Sequence, residues 1–131
     1  MPILFSIKRK IKVPIEVVFD ALTNAIVLSE FTGKAVFEPK IGSFYQMFDG
    51  WVSGEILAFE RNKTLSYTWK TTDWDENVAA SIVSYAFKEK GGSTSIELTH
   101  SNFPNQKEAD EHQKGWEEHV FLPLEKYLIG E

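Results

Sequence analysis

The chain contains no cysteine, so disulfides and thiolate chemistry are excluded, and a reducing compartment is allowed. It has no excess of positive charge: 14 Lys and Arg stand against 19 Asp and Glu, a net −5. A nucleic-acid partner calls for a basic footprint and is not expected. No apolar run approaches the roughly 18 residues of a membrane span. The opening MPILFSIKRK carries its charges after its apolar residues, the reverse of a secretory signal, so a cytoplasmic location is expected. There is no GxSxG elbow to pair a serine with one of the three histidines. Repeats, low-complexity tracts and linkers are also lacking, and 131 residues suit one domain spanning 1–131.

What is plentiful is aromatic surface, with ten Phe, four Trp and four Tyr. Such residues build cores and line cavities for apolar ligands. Residues 105–130, NQKEADEHQKGWEEHVFLPLEKYLIG, read as one long helix. Asn105 suits the N-cap, with Glu108 three residues on, and Gly130 suits a left-handed end. At about 100° per residue, Ala109, His112, Trp116, Val120, Pro123, Leu124 and Tyr127 share one stripe. Phe121, Leu122, Leu128 and Ile129 add apolar surface elsewhere, so the second half is expected to be buried deeper. Pro123 removes a backbone donor and predicts a kink. The stripe reads as core packing, with Trp116 and Val120 also capping a ligand cavity.

Upstream of this helix the pattern has period two. Residues 3–13 alternate, with Ile3, Phe5, Ile7, Ile11 and Val13 on one face and the lysines on the other. Arg9 falls on the apolar side, at a sheet margin or paired with an acid. Pro14 opens a short helix, Thr23-Asn24 breaks it, and residues 25–30 form a second. Strands follow at 34–38, 43–48, 51–59, 64–71, 78–88 and 94–101, with turn signals at Asp49-Gly50 and Gly91-Gly92. The order predicts an α+β fold in which a curved antiparallel sheet has one face covered by the final helix. Roughly 23 helical residues span about 35 Å, enough to cross such a sheet.

Three local readings bear on chemistry. His112 and His119 lie about 10.5 Å apart along the helix axis, too far for one ion, so no metal is expected and both read as polar flanks of Trp116. His100 shares a face with Ile96 and Leu98; it is either a satisfied structural group or a polar anchor inside the cavity. Asp73, Trp74 and Asp75 form a loop, read as solvated or as a partner-contact surface anchored on the indole.

The ordered segments VPIEVVFDALTN (13–24), KIGSFYQMFDGWVSGEI (40–56), LSYTWKTTDW (65–74), STSIELTHSNFP (93–104) and GWEEHVFLPLEKYL (115–128) carry a further reading. Together they resemble the activator of heat shock protein 90 ATPase homologues, within the START-like (SRPBCC) helix-grip superfamily. The DGWVSGE segment and the 70–74 turn are similar to the C-terminal domain of the eukaryotic co-chaperone. The resemblance implies a seven-stranded antiparallel sheet gripping the C-terminal helix, with a cavity between them and no fixed catalytic set. Strand one starts at residue 3, so the co-chaperone's separate N-terminal domain is expected to be absent, which argues against ATPase activation by this chain alone.

Three functions follow as expectations. The first is a non-enzymatic module binding a small apolar ligand or lipid, its cavity lined by Phe44, Phe48, Trp69, Tyr85, His100, Trp116 and Val120, with no cofactor. In that picture Trp116 and Val120 face Trp69 and His100. The second is a partner of a heat shock protein 90 chaperone, touched through Asp73, Trp74 and Asp75. The third is a cyclase or dehydratase using His100 with a carboxylate.

Overall fold

The computed structural model describes residues 3–130. The chain runs β1 (Phe5–Ile11), α1 (Ile15–Thr23), α2 (Ala25–Thr32), β2 (Val36–Phe37), β3 (Phe44–Met47), β4 (Val52–Glu60), β5 (Thr64–Thr71), β6 (Ser81–Lys90) and β7 (Ser93–Ser101). It ends in α3 (Gln106–Gly115), a π-helical turn (Trp116–Phe121) and α4 (Leu122–Ile129). The seven strands form one antiparallel sheet in the order β1-β7-β6-β5-β4-β3-β2. Strands β4 to β7 follow each other as neighbours, β4–β5 and β6–β7 joined by tight turns and β5–β6 by the longer loop of residues 72–80. β1 and β2 lie at opposite edges, so the α1–α2 pair crosses from one edge to the other.

Period-two alternation sets the sheet's inner face. Leu65, Tyr67 and Trp69 on β5, Val83, Tyr85 and Phe87 on β6, and Ile96, Leu98 and His100 on β7 are all buried. Phe121 and Leu124 close the core from the helix side, both with no exposed surface. Burying each such side chain contributes roughly 1.5–3 kcal/mol. Arg9 sits on edge strand β1 with its guanidinium paired to Glu117, its Nε 3.7 Å from Glu125, and its planar group over the Phe121 ring. Edge position and acidic partners therefore both account for it.

The Asn105 cap and the left-handed Gly130 end form as read, and Asn24, read only as a break, caps α2 as well. The Asn24 side chain accepts from Ile26 N–H, the Asn105 side chain accepts from Glu108 N–H, and Gly130 takes φ 82. The irregularity expected at Pro123 lies just ahead of it, as the π turn. Proline has no N–H, and in a regular helix its ring would press on the carbonyl of His119. The chain instead widens, and Leu122 N–H bonds Glu117 O, five residues back. This adds a residue to the turn and shifts the stripe. Ala109, His112, Trp116, Val120 and Leu124 are buried as expected, and Phe121 joins them. Tyr127 turns out to solvent instead. The second half is not uniformly deeper, since Leu122 and Ile129 are half exposed.

A candidate binding groove at the helix–sheet junction

The site is assembled by a turn, a strand and the π turn. Phe48 and Asp49 take left-handed backbone angles, φ 55 and 58, followed by Gly50 at φ 90. Non-glycine residues rarely do this, and here the turn is held from outside. The Asp49 carboxylate accepts from Lys34 N–H at 3.0 Å, and Asp49 N–H donates to Lys34 O at 3.1 Å. The turn breaks the alternation of β3 and β4. It brings Phe48 and Trp51 to the same end of the sheet as Trp69.

Trp116 enters from the first residue of the π turn, its ring 5.1 Å from that of Trp69. Phe48, Trp51, Trp69, Trp116 and Val120 thus wall an open groove of about 420 Å³. Glu111, Lys114, Glu118 and His119 stand around it as charged or polar lining, beside Gly115 and His112. A larger groove of about 560 Å³ lies between α1–α2 and the β4–β5 turn. Its lining mixes Phe19, Phe37 and Phe59 with six polar or charged residues, Glu16, Asp20, Thr23, Asn24, Arg61 and Asn62, so it suits an apolar ligand less well than the tryptophan-walled groove.

Four of the seven expected cavity residues line the aromatic groove: Phe48, Trp69, Trp116 and Val120. Phe44 does not. It lies on the outer face, 56% exposed, because its neighbour Tyr45 takes the inward position of β3. Tyr85 is buried behind the wall, its ring edge-on to Trp116 at 6.1 Å. His100 also lies behind the wall, so the expected Trp69–His100 wall is made by Trp69 with Trp51 instead.

His100 is fully buried, and both of its ring nitrogens are engaged. Trp116 Nε1–H can only donate, and it does so to His100 Nδ1 at 2.9 Å. The His100 proton therefore sits on Nε2 and is donated to Ser81 Oγ at 2.7 Å, which in turn donates to Trp69 O at 2.9 Å. This directional chain fixes the tautomer and ties the helix to three strands, β7, β6 and β5. Of the two readings of His100, the satisfied structural group is the one the geometry matches. No nitrogen of His100 is left for a substrate.

Burial holds the His100 ring neutral, lowering its pKa from 6.5 to about 2, with a smaller push from nearby His112. Stability should therefore depend on pH. Above pH 6.5 neither folded nor unfolded chain protonates this ring. Below it the unfolded chain binds the proton and the folded chain does not, so stability falls as pH falls. His100 alone should remove about 2 kcal/mol between pH 6.5 and 5, at about 1.4 kcal/mol per pH unit. Urea midpoints measured at pH 7, 6 and 5 check this, and His100→Gln should flatten the slope. A wild-type midpoint unchanged over that range would contradict the assignment.

His112 is not the solvated flank that its polarity suggested. It is buried, and the rings of Phe103, His100, Trp74, Trp69 and Trp51 all lie within 6.1 Å of it, centre to centre. Its place on the Trp116 stripe was the available signal. Burial lowers its pKa, opposed by the Glu108 backbone and the Glu108 and Glu111 carboxylates. His119, by contrast, is exposed. Trp51 was missed because strict alternation from Val52 would point it outward.

The 73–75 loop also differs from a free, exposed anchor. Asp73 accepts from Trp51 Nε1–H at 2.7 Å, and Trp74 Nε1–H donates to Glu108 at 2.8 Å. Trp74 is half-buried against Phe103 and His112, while Asp75 stays exposed. Among the described residues no three His, Asp or Glu side chains stand together as a metal site, and no helix is long and apolar enough to cross a membrane.

Comparison with known proteins agrees with this architecture. The family described as Activator of Hsp90 ATPase homolog 1-like protein matches residues 12–128. A mouse protein, Activator of 90 kDa heat shock protein ATPase homolog 2, is 30% identical over 95 residues, which is 72% of this chain. Those residues span 28% of the mouse protein's own length. The crystal structure of an HSP90 activator from Plasmodium falciparum superposes with TM-score 0.84 at 29% identity, over 97% of this chain and 96% of that one. A protein of Mesorhizobium loti superposes with TM-score 0.86 at 29% identity, over 98% of both chains. With a sheet gripping its last helix and the family pattern running from the end of β1 to α4, the chain belongs to the Activator of Hsp90 ATPase homolog 1-like family.

Proposed function

We propose that the chain is a binding module that takes a small, flat, apolar molecule between the β5 end of the sheet and the π turn. The observation that carries this reading is the groove of about 420 Å³ walled by Phe48, Trp51, Trp69, Trp116 and Val120. Its volume falls in the range of small-molecule sites, and aromatic walls with a few polar groups are what such sites use. Trp116 is the central wall, so Trp116→Ala should weaken binding at least about tenfold, the loss of one well-packed aromatic contact. Calorimetric titration of an aromatic and lipid panel measures it, alongside mass spectrometry of the purified protein for a co-purifying molecule. No heat of binding from any panel member, with no co-purifying mass, ends this reading.

A second reading, favoured by the family and by the names of the mouse and Plasmodium relatives, is contact with a heat shock protein 90 chaperone. The face offered would include Asp73, Asp75 and the open edge of Trp74. A pull-down and ATPase assay with the chaperone of the same organism tests it, and Asp75→Lys should weaken capture. Absence of capture at about tens of micromolar removes the reading.

A further inference from the structure

The groove holds an unmatched pair of polar atoms. Trp69 Nε1 and His112 Nε2 are buried without hydrogen-bond partners, and both residues line the groove, their rings 5.9 Å apart and edge to face. Buried polar groups in folded chains are nearly always paired, and the other indoles obey that rule: Trp51, Trp74 and Trp116 each donate to a named acceptor. Arg9 Nε and Thr71 Oγ1 are unpaired too, but neither residue lines this groove.

The roles of the two atoms are set by their chemistry. Indole Nε1–H can only donate. His112 Nδ1 lies 2.9 Å from Glu108 O, and a carbonyl oxygen can only accept, so the ring's proton is on Nδ1. His112 Nε2 is then a bare lone pair. The ring cluster at the back of the groove thus holds one unmatched donor and one unmatched acceptor, on rings in edge-to-face contact.

We infer that the molecule bound here is a planar ring carrying a hydroxyl group, whose oxygen accepts from Trp69 Nε1–H and donates its proton to His112 Nε2. This rests on the groove being a binding site, as proposed above. A single hydroxyl answers both atoms. A ketone oxygen answers only the indole. An ammonium answers only the imidazole. A carboxylate has no proton for His112, and at the rim it meets Glu111 and Glu118 as well as Lys114.

The test compares a naphthol with its methyl ether, which keeps the ring and oxygen but lacks the proton, by calorimetry on the wild-type chain. The naphthol should bind about tenfold tighter, the effect of one well-placed buried hydrogen bond. His112→Phe, which keeps a flat ring without the lone pair, should bring the two affinities together. His112→Gln, which carries an acceptor out to the Nε2 position, should keep a preference for the naphthol. Equal wild-type affinities, or a preference that survives in His112→Phe, overturn the inference while leaving an apolar groove in place. If neither molecule binds, the groove reading falls and the inference falls with it. The wild-type comparison decides the matter even where a variant fails to fold.

Discussion

His100→Ala should destabilise the chain by about 4 kcal/mol. Two effects combine. The indole N–H of Trp116 loses its acceptor in a buried place, which costs about 1–3 kcal/mol. The ring also leaves a cavity against Phe103, whose centroid is 4.2 Å away, and Phe5, at 5.7 Å, adding a large-to-small cost of about 2–3 kcal/mol. Set against a typical total of about 5–15 kcal/mol, this is a large share. Urea unfolding with unchanged slope and a lowered midpoint is the expected signature. Trp116→Phe removes the donor together with part of the buried ring, and a double-mutant cycle with His100→Ala separates the coupling, expected at about 1–3 kcal/mol, from that loss. A midpoint shift equivalent to less than about 1 kcal/mol for His100→Ala would mean that the chain of hydrogen bonds adds little.

Gly54→Ala should cost about 3 kcal/mol or more, although it adds one methyl group. A Cβ at this position would stand 2.1 Å from Thr68 O and 2.7 Å from the Thr68 carbonyl carbon. Both are backbone atoms of the neighbouring strand β5, so no side-chain rotation relieves the clash. The same carbonyl receives the Tyr45 hydroxyl, and Thr68 Oγ1 accepts from Glu55 N–H at 2.9 Å. Opening the strands therefore disturbs both bonds. Thermal unfolding of Gly54→Ala beside Gly42→Ala gives the comparison. A Cβ at Gly42 meets nothing within 4 Å, so that variant reports only backbone strain at φ 88. If Gly54→Ala loses no more than Gly42→Ala, strand proximity is not what holds position 54 as glycine.

The legibility of the fold follows from where its signals are local. Strands β5, β6 and β7 read cleanly because each alternates over eight or more residues between turn signals. The cap at Asn105 was visible because a single side chain and the N–H groups just beyond it decide it. The site was less legible, for two physical reasons. Positions near the Phe48–Gly50 turn break the period that alternation assumes, so Trp51 was overlooked and Phe44 was turned the wrong way. The π turn adds a residue that a fixed 100° step does not contain, which placed Tyr127 inward. His112 shows a third limit. Its side chain is polar, and only the meeting of two strands, a loop and the helix surrounds it with rings.

All four tryptophans of the chain meet in this one patch, though they come from positions 51, 69, 74 and 116. Trp51 lies 6.4 Å from Trp69, Trp69 lies 5.1 Å from Trp116, and His112 bridges to Trp74 at 5.6 Å. At these separations the four indoles are expected to behave optically as a coupled set. Excitation absorbed by any indole passes among its neighbours before it is emitted, and the tilted ring pairs will split the near-ultraviolet circular dichroism. The imidazole of His112, once protonated, would drain emission from the whole set. Occupancy of the groove, the charge on His112 and the docking of the helix on the sheet therefore all report through the same band of light, with no label added.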